Sequence, residues 1–220
     1  AGMSEVDSND NKIRGNEEWR DTVLLGSKLC SEKDITNRRN KANVAFYTYK
    51  NLWLDNSVKI SESRKLRLYE ALVTSVLLYN CSCWAAPKKA LDSVDVLQRK
   101  HLRQILKIFW PNVISNENLY KRCKVRPLTE RIAEARWKMF GHVLRSGEST
   151  PAYLSFRFAC LTCKDYKGRV GAHRTNLYDV LIKDLLKRKL ITNKVLNFND
   201  FNNLVHMAHN RVVWGSMKNA

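Results

Sequence analysis

The stretch KLRLYEALVTSVLLYNCSCW, from Lys65 to Trp84, decides the fold of this chain. Its apolar residues recur at helical spacing, which predicts a helix that begins near Ser61, with this serine as the N-cap. Leu68, Leu78 and Tyr79 fall outside the main apolar stripe, so the helix is apolar on more than one side. A helix of this kind is expected in the middle of a helical core.

The same apolar spacing predicts helices on both sides of this stretch. They run from Asp34 to Leu54, Lys88 to Phe109, Asn116 to Arg122, Thr129 to Leu144, Thr175 to Leu190 and Phe198 to Trp214. Ser31 and Asp34 resemble a capping box at the start of the first one. A short strand is predicted over 22–25, ending in a turn at Gly26. Gly141 lies inside a helix, where glycine costs about 1 kcal/mol against alanine, so we expect another backbone to approach closely there.

These elements predict an all-α fold, a helical bundle with a smaller, mainly helical C-terminal module. Residues 1–18 are polar and without periodicity, which is typical of a flexible tail. The turn-forming segment SGESTP, from Ser146 to Pro151, predicts a linker between a helical domain at 19–146 and a basic C-terminal domain at 151–220.

The charge of the chain is far from neutral. It carries 39 Lys and Arg against 21 Asp and Glu, a formal net charge of +18 over 220 residues. An excess of this size favours a polyanionic partner such as nucleic acid, although a merely solvated cationic surface is the alternative. No apolar run approaches the roughly 18 residues of a membrane span. The first residues lack the apolar region of a signal peptide, so we expect an intracellular protein, nuclear or cytoplasmic, in a ribonucleoprotein.

Basic residues on successive helices are the candidate phosphate contacts, and we expect them to share one face of the bundle. They are Arg38, Arg39 and Lys41, then Arg99, Lys100, Arg103 and Lys107, then Arg131, Lys138 and Arg145, and finally Lys164, Lys167, Arg169 and Arg174. If roughly six phosphates are contacted, binding should weaken about a thousandfold between 50 and 200 mM salt. Aromatic residues among them can stack on unpaired bases, but Trp137 and Phe140 have core spacing, which favours packing.

Signals for a metal or for catalysis are weaker. Cys160 and Cys163 form a C-x-x-C pair, and His173 follows, but Tyr178 stands where a zinc knuckle needs its fourth ligand. His206 and His209 are alternative ligands at an unusual spacing. Buried or free thiols are the other interpretation of the cysteines, and a structural zinc is the only cofactor that this pattern allows. The sequence has no glycine-rich phosphate loop and no paired carboxylates for two metal ions, so we expect no enzymatic activity.

Several phrases in this order resemble one protein family. They are LLGSKL (Leu24–Leu29), the central stretch, LDSVDVLQRKHLRQILKI (Leu91–Ile108), WPNVISNENLY (Trp110–Tyr120), ARWKMFGHVLR (Ala135–Arg145), GRVGAHRTNLYDVLIKDL (Gly168–Leu185) and AHNRVVW (Ala208–Trp214). The set resembles the region that follows the polymerase palm in reverse transcriptases of non-LTR (LINE-type) retrotransposons.

This resemblance implies a thumb over 21–144, which would grip a template–primer duplex by its backbone, and a post-thumb domain over 151–220. It also implies a palm domain as partner, with the catalytic acids in that palm. Asn80, Cys83 and Tyr178 depart from the family's pattern, as in a decayed or domesticated copy.

The expected function is therefore sequence-tolerant binding of RNA or of an RNA–DNA or DNA duplex through phosphate contacts. The alternative is a protein-interaction or assembly module derived from a retrotransposon, with nucleic-acid binding incidental. It is motivated by the apolar central helix and by Trp53, Trp84 and Trp110, whose side chains need cover.

Overall fold

The computed structural model describes residues 22–54, 59–162, 175–192 and 196–217. The predicted tail at 1–18 and the predicted site residues Cys163, Lys164, Lys167, Arg169, His173 and Arg174 lie outside these ranges. The described chain is mostly helical with one short hairpin, which confirms the predicted all-α fold. No helix of the described ranges is long and apolar enough to cross a membrane.

The N-terminal part begins with an antiparallel hairpin of β1 (Val23–Leu24) and β2 (Ser27–Lys28). The helices that follow are α1 (Ser31–Thr48), α2 (Lys50–Leu54), α3 (Glu62–Tyr69), a π-helical turn (Glu70–Thr74), α4 (Ser75–Leu77), a 3-10 turn (Cys81–Cys83), α5 (Lys88–Ile105) and α6 (Asn116–Cys123). The C-terminal part holds α7 (Leu128–Arg145), α8 (Pro151–Thr162), α9 (Leu177–Lys187), α10 (Phe198–His209) and α11 (Arg211–Ser216).

Several predicted helices end early or divide. The central helix stops at Leu77 instead of Trp84, because Asn80 takes a left-handed backbone conformation with φ of +57°. Helix α5 ends at Ile105, and Lys107 has φ of +55°. The last predicted helix divides at Asn210, whose side chain accepts a hydrogen bond from Val213 N at 3.1 Å and so caps α11. The first predicted helix divides at Tyr49, which has a non-helical backbone conformation with φ of −99° and ψ of +24°.

The predicted capping box of Ser31 and Asp34 is wrong. Helix α1 begins at Ser31 itself, and the Asp34 carboxylate instead accepts hydrogen bonds from Lys28 N at 2.9 Å and from the Trp84 indole at 2.8 Å. Asp34 therefore ties the hairpin and the end of the central segment to α1. Ser61 does precede α3 as predicted, but its side chain makes no capping hydrogen bond.

Two apolar cores hold the described helices together. The N-terminal core forms between α1, α3, α4, α5 and α6, and its largest buried side chains include Phe46 and Trp53. The C-terminal core packs α8 to α11 against the second half of α7, and Tyr153 and Phe201 lie within it. Helix α7 belongs to both cores, since Ile132 lies in the N-terminal core and Trp137 in the C-terminal core.

Within α7, Trp137 and Phe140 are buried, which confirms the prediction that they pack. The close neighbour of Gly141 is a side chain and not the backbone we expected. A Cβ on Gly141 would meet the Trp214 indole, with Cδ1 at 2.6 Å. The Trp214 ring stacks on Trp137 at 4.1 Å, and each indole donates a hydrogen bond to the other residue's carbonyl, at 2.9 and 3.1 Å. Glycine is thus what lets α11 dock on α7.

Candidate nucleic-acid interface

Helix α5 separates an apolar face from a cationic one. Val94, Leu102 and Ile105 are buried in the N-terminal core, as the spacing predicts. On the other side, Lys100 is exposed and Arg99 and Arg103 are half-buried. Lys107 follows directly after the helix and is exposed as well. We call these four residues, Arg99, Lys100, Arg103 and Lys107, the α5 stripe.

The two arginines of the α5 stripe are held by neutral acceptors. Arg99 Nη1 donates to the Tyr120 hydroxyl at 3.3 Å, and Arg103 Nη2 donates to Asn116 Oδ1 at 2.7 Å and to the Ile114 carbonyl at 3.3 Å. Burial raises the pKa of Tyr120 above its ordinary value, so the phenol stays neutral beside Arg99. Both guanidinium groups are therefore fixed in position while their charge stays uncompensated.

Elsewhere, the described cations are often neutralised by carboxylates. Ion pairs with oxygen–nitrogen distances of 2.5 to 2.9 Å join Lys121 to Glu117, Arg122 to Glu62, Arg126 to Glu134, Arg131 to Glu70, Arg136 to Asp184 and Arg157 to Glu148. By contrast, no carboxylate of the described ranges lies within ion-pair distance of Arg99, Lys100 or Arg103. Arg99, Lys100 and Arg103 are thus the members of the α5 stripe whose positive charge no described carboxylate compensates.

The predicted contacts on α1 divide into three cases. Lys41 is exposed. Arg39 is half-buried, and its buried Nε has no hydrogen-bond partner. Arg38 does not fit the prediction, because its side chain is only 7% exposed. It donates to the Gly26 carbonyl at 2.6 Å and to Ser27 Oγ at 3.0 Å, and it lies over the Tyr79 ring at 4.3 Å. Arg38 holds the hairpin against α1 and is not placed to reach a phosphate.

Of the phosphate contacts predicted on α7, two are engaged within the protein. Arg131 pairs with Glu70 at 2.6 Å, so its charge is compensated. Arg145 is half-buried and donates to the Ala208 carbonyl at 2.8 Å, which ties α7 to α10. Lys138 is exposed and remains available for a ligand. Of the three residues predicted here, Lys138 alone is free of such a structural contact.

The predicted metal ligands do not come together in the described part of the chain. Cys160 is buried in the C-terminal core, and this burial raises the pKa of its thiol to about 12, which disfavours the thiolate that binds zinc. His206 and His209 are exposed on α10. Across residues 22–54, 59–162, 175–192 and 196–217, no group of three or more Cys, His, Asp or Glu side chains has the arrangement of a metal site. Cys160 therefore fits the interpretation as a packed thiol.

Three residues near the α5 stripe were absent from the predicted set. Tyr120 positions Arg99, and Asn116 positions Arg103. Trp110 lies in the loop between α5 and α6 and is 89% exposed. Apolar spacing gives no signal for the first two, because they act through hydrogen bonds across elements. The run FWPNV, from Phe109 to Val113, offered a signal for the third, since it has no helical period that would bury its aromatic rings.

The chain was compared with models of known protein families, with curated proteins and with solved structures, and none of the three comparisons found a match.

Proposed function

We propose that the chain binds RNA or an RNA–DNA or DNA duplex through its phosphate backbone, and that the α5 stripe is the centre of this contact. The observation that carries the proposal is that neutral acceptors hold Arg99 and Arg103 in place. In addition, no described carboxylate forms an ion pair with Arg99, Lys100 or Arg103. From Arg99 to Arg103 the helix rises by about 6 Å. This length spans about two phosphates of one strand, because each strand of a duplex carries one phosphate for about every 3.4 Å along its axis.

The net charge supports the same proposal. A formal charge of +18 attracts any polyanion over a distance, and the bound cations of the nucleic acid are released on contact. Phosphate contacts carry no sequence information, so we expect binding that tolerates sequence. The proposal includes no catalytic step. It extends to the origin of the chain, as a thumb-derived fragment or a domesticated relative of a LINE-type reverse transcriptase, and the ordered sequence phrases support that part.

The test is the salt dependence of binding to a labelled RNA–DNA duplex, measured by fluorescence anisotropy. Four phosphate contacts give a slope of log K against log salt of about −3.6, so affinity should fall about a hundredfold between 50 and 200 mM salt. In Lys100→Glu, the slope should become shallower by about one contact and binding should weaken. A slope near zero in the wild type would refute nucleic-acid binding by this surface.

A matched control places the contact on α5. Lys183→Glu makes the same charge change at an exposed position of α9, in the C-terminal part. If the α5 stripe is the centre of the contact, Lys100→Glu weakens binding clearly more than Lys183→Glu does. Equal effects of the two variants would mean that net charge alone governs binding, and the proposed site would be wrong.

A second candidate function is protein interaction, and a specific observation favours it. The hairpin exposes three apolar residues in succession, Val23, Leu24 and Leu25, and Tyr79 beside them donates to the Leu25 carbonyl at 2.9 Å. Trp53 and Trp84, which motivated this candidate in the sequence, are instead buried in the N-terminal core. Light scattering separates the candidates, since a stable, salt-indifferent dimer would favour assembly through this apolar surface.

A further inference from the structure

The loop between α5 and α6 has an aromatic tip, residues 109–113, whose two ends are anchored to the rest of the protein. Ile108 and Ile114 are half-buried and pack against the N-terminal core, so both ends of the loop are anchored. Between them the chain turns back on itself, and Asn112 N donates to the Phe109 carbonyl at 2.9 Å. The base is further tied to α5, because Arg103 donates to the Ile114 carbonyl. The position of the tip is thus fixed by contacts at both ends of the loop.

The tip exposes apolar groups that the fold does not cover. Trp110 is 89% exposed, Val113 87% and Phe109 54%. Trp53, Trp84, Trp137 and Trp214 are all buried, so Trp110 differs from the other tryptophans that the structure describes. A tryptophan brings a large area that favours contact with another flat or apolar surface. An occupant for this ring is therefore expected.

Charge around the tip selects the kind of occupant. Lys107 precedes the tip by two residues, and Arg103 lies under its base. The nearest acid in sequence, Glu117, is engaged with Lys121 at 2.8 Å. A polyanionic strand that contacts the α5 stripe therefore brings its bases close to Trp110. Cations beside an exposed aromatic ring are the combination with which proteins hold unpaired bases, because every base has a face that can stack.

The area of the tip argues against a protein as the main occupant. Two aromatic side chains bury about 300 to 500 Å² together, at roughly 150 to 250 Å² each. A stable protein interface needs about 800 Å² on each partner. One or two rings are, however, enough for a nucleobase.

We infer that Trp110 stacks on an unpaired base of the nucleic acid that the α5 stripe holds, so that the protein prefers a duplex with a single-stranded extension over a blunt one. This inference rests on the proposed function, because the phosphate contacts bring the base to the ring. The ligand class is an RNA or DNA strand that leaves its duplex near the C-terminal end of α5. Phe109 contributes a second, less exposed apolar surface beside it.

The experiment compares two labelled RNA hairpins in anisotropy titrations, one blunt and one with a short single-stranded extension. Stacking of one base contributes about 1 to 3 kcal/mol, which is an affinity factor of about 5 to 150. We therefore expect Trp110→Ala to lose about this factor on the extended hairpin and to bind the blunt hairpin as the wild type does. Trp110→Phe should recover part of the loss, because a smaller ring still stacks. Phe158→Ala, which removes an exposed aromatic ring on α8, is the control and should leave both affinities unchanged.

Each other outcome has a definite meaning. Equal losses on both hairpins, or no loss on either, would overturn the stacking role while leaving the phosphate contacts in place. If the wild type binds neither hairpin at low salt, the proposed function itself fails. If the wild type is a dimer in light scattering and Trp110→Ala is a monomer, the tip is a protein-docking surface and the inference is wrong.

Discussion

Lowering the pH from 7 to 5 should destabilise this protein through one buried histidine. His101 lies on the buried face of α5, where its ring stacks on Phe46 with the centroids 4.0 Å apart. Its Nδ1 lies 3.2 Å from the Tyr69 hydroxyl, and its Nε2 lies 3.1 Å from Asn43 Oδ1. A neutral imidazole satisfies both neighbours with one acceptor and one donor nitrogen, whereas the protonated ring would have two donors.

This environment lowers the pKa of His101 to about 4, first because burial disfavours the charged ring and second because Lys100 is close. In the unfolded chain the pKa of histidine is about 6.5. Between these values the unfolded chain binds a proton that the folded protein does not, so stability falls as the pH falls. Between pH 7 and pH 5 the free energy of unfolding falls by about 2 kcal/mol, and below pH 4 the total decrease approaches about 3.4 kcal/mol.

The measurement is urea denaturation followed by circular dichroism at pH 7, 6 and 5, in the range where most carboxylates remain ionised. His101→Gln is the control, since its amide keeps a donor and an acceptor but does not titrate. We expect the wild type to lose about 2 kcal/mol and the variant, whatever its own stability, to change much less. The other four histidines are present in both proteins, so the comparison isolates the effect of His101. A flat wild-type profile, or the same slope in His101→Gln, would refute the reasoning.

Two further predictions concern the C-terminal core. Gly141→Ala should lower the free energy of unfolding by about 1 to 3 kcal/mol, because the new Cβ meets the stacked Trp214 indole. Gly215→Ala, where nothing lies within 4 Å, should be neutral or stabilising by up to about 1 kcal/mol in the same thermal and urea melts. Equal effects at both glycines would contradict the packing argument. In iodoacetamide labelling followed by mass spectrometry, exposed Cys83 should react quickly and Cys160 only on unfolding. Labelling of Cys160 that a chelator accelerates would instead point to bound zinc.

Much of the helical architecture was predictable from the sequence because apolar spacing reports burial directly. Helices α6 and α7 lie within one residue of their predicted bounds at both ends. The breaks at Tyr49, Asn80 and Asn210 were not predictable from spacing. Asn80 has a left-handed backbone, Tyr49 a non-helical one, and the Asn210 side chain caps the next helix, and such local conformations leave the apolar period almost unchanged.

The candidate site was less predictable, since a basic residue has the same letter whether it is buried or exposed. Lys65 is buried and donates to the Trp53 carbonyl at 3.0 Å, beside the end of α2. Arg136 is buried as well and pairs with Asp184 at 2.8 Å, which joins α7 to α9. A helical period places such residues near a face boundary, but it cannot say whether a distant carbonyl or carboxylate meets them. The packing of the helices is what shows that Lys65 and Arg136 are structural, whereas Lys100 is exposed and can contact a ligand.

The way in which Arg99 and Arg103 are held has a consequence for binding. A free arginine loses side-chain rotamer freedom when it fixes a phosphate, and this loss opposes binding. Here Tyr120 and Asn116 already restrict the two guanidinium groups in the free protein, so part of this entropy is lost on folding and not on binding. Because both acceptors are neutral, the positive charge of the arginines is not cancelled. A carboxylate partner would order the same side chains but cancel their charge, as Glu70 does for Arg131. A neutral anchor thus prepares a cation for a phosphate without cancelling its charge, and it distinguishes Arg99 and Arg103 from the ion-paired Arg131 and Arg136 of α7.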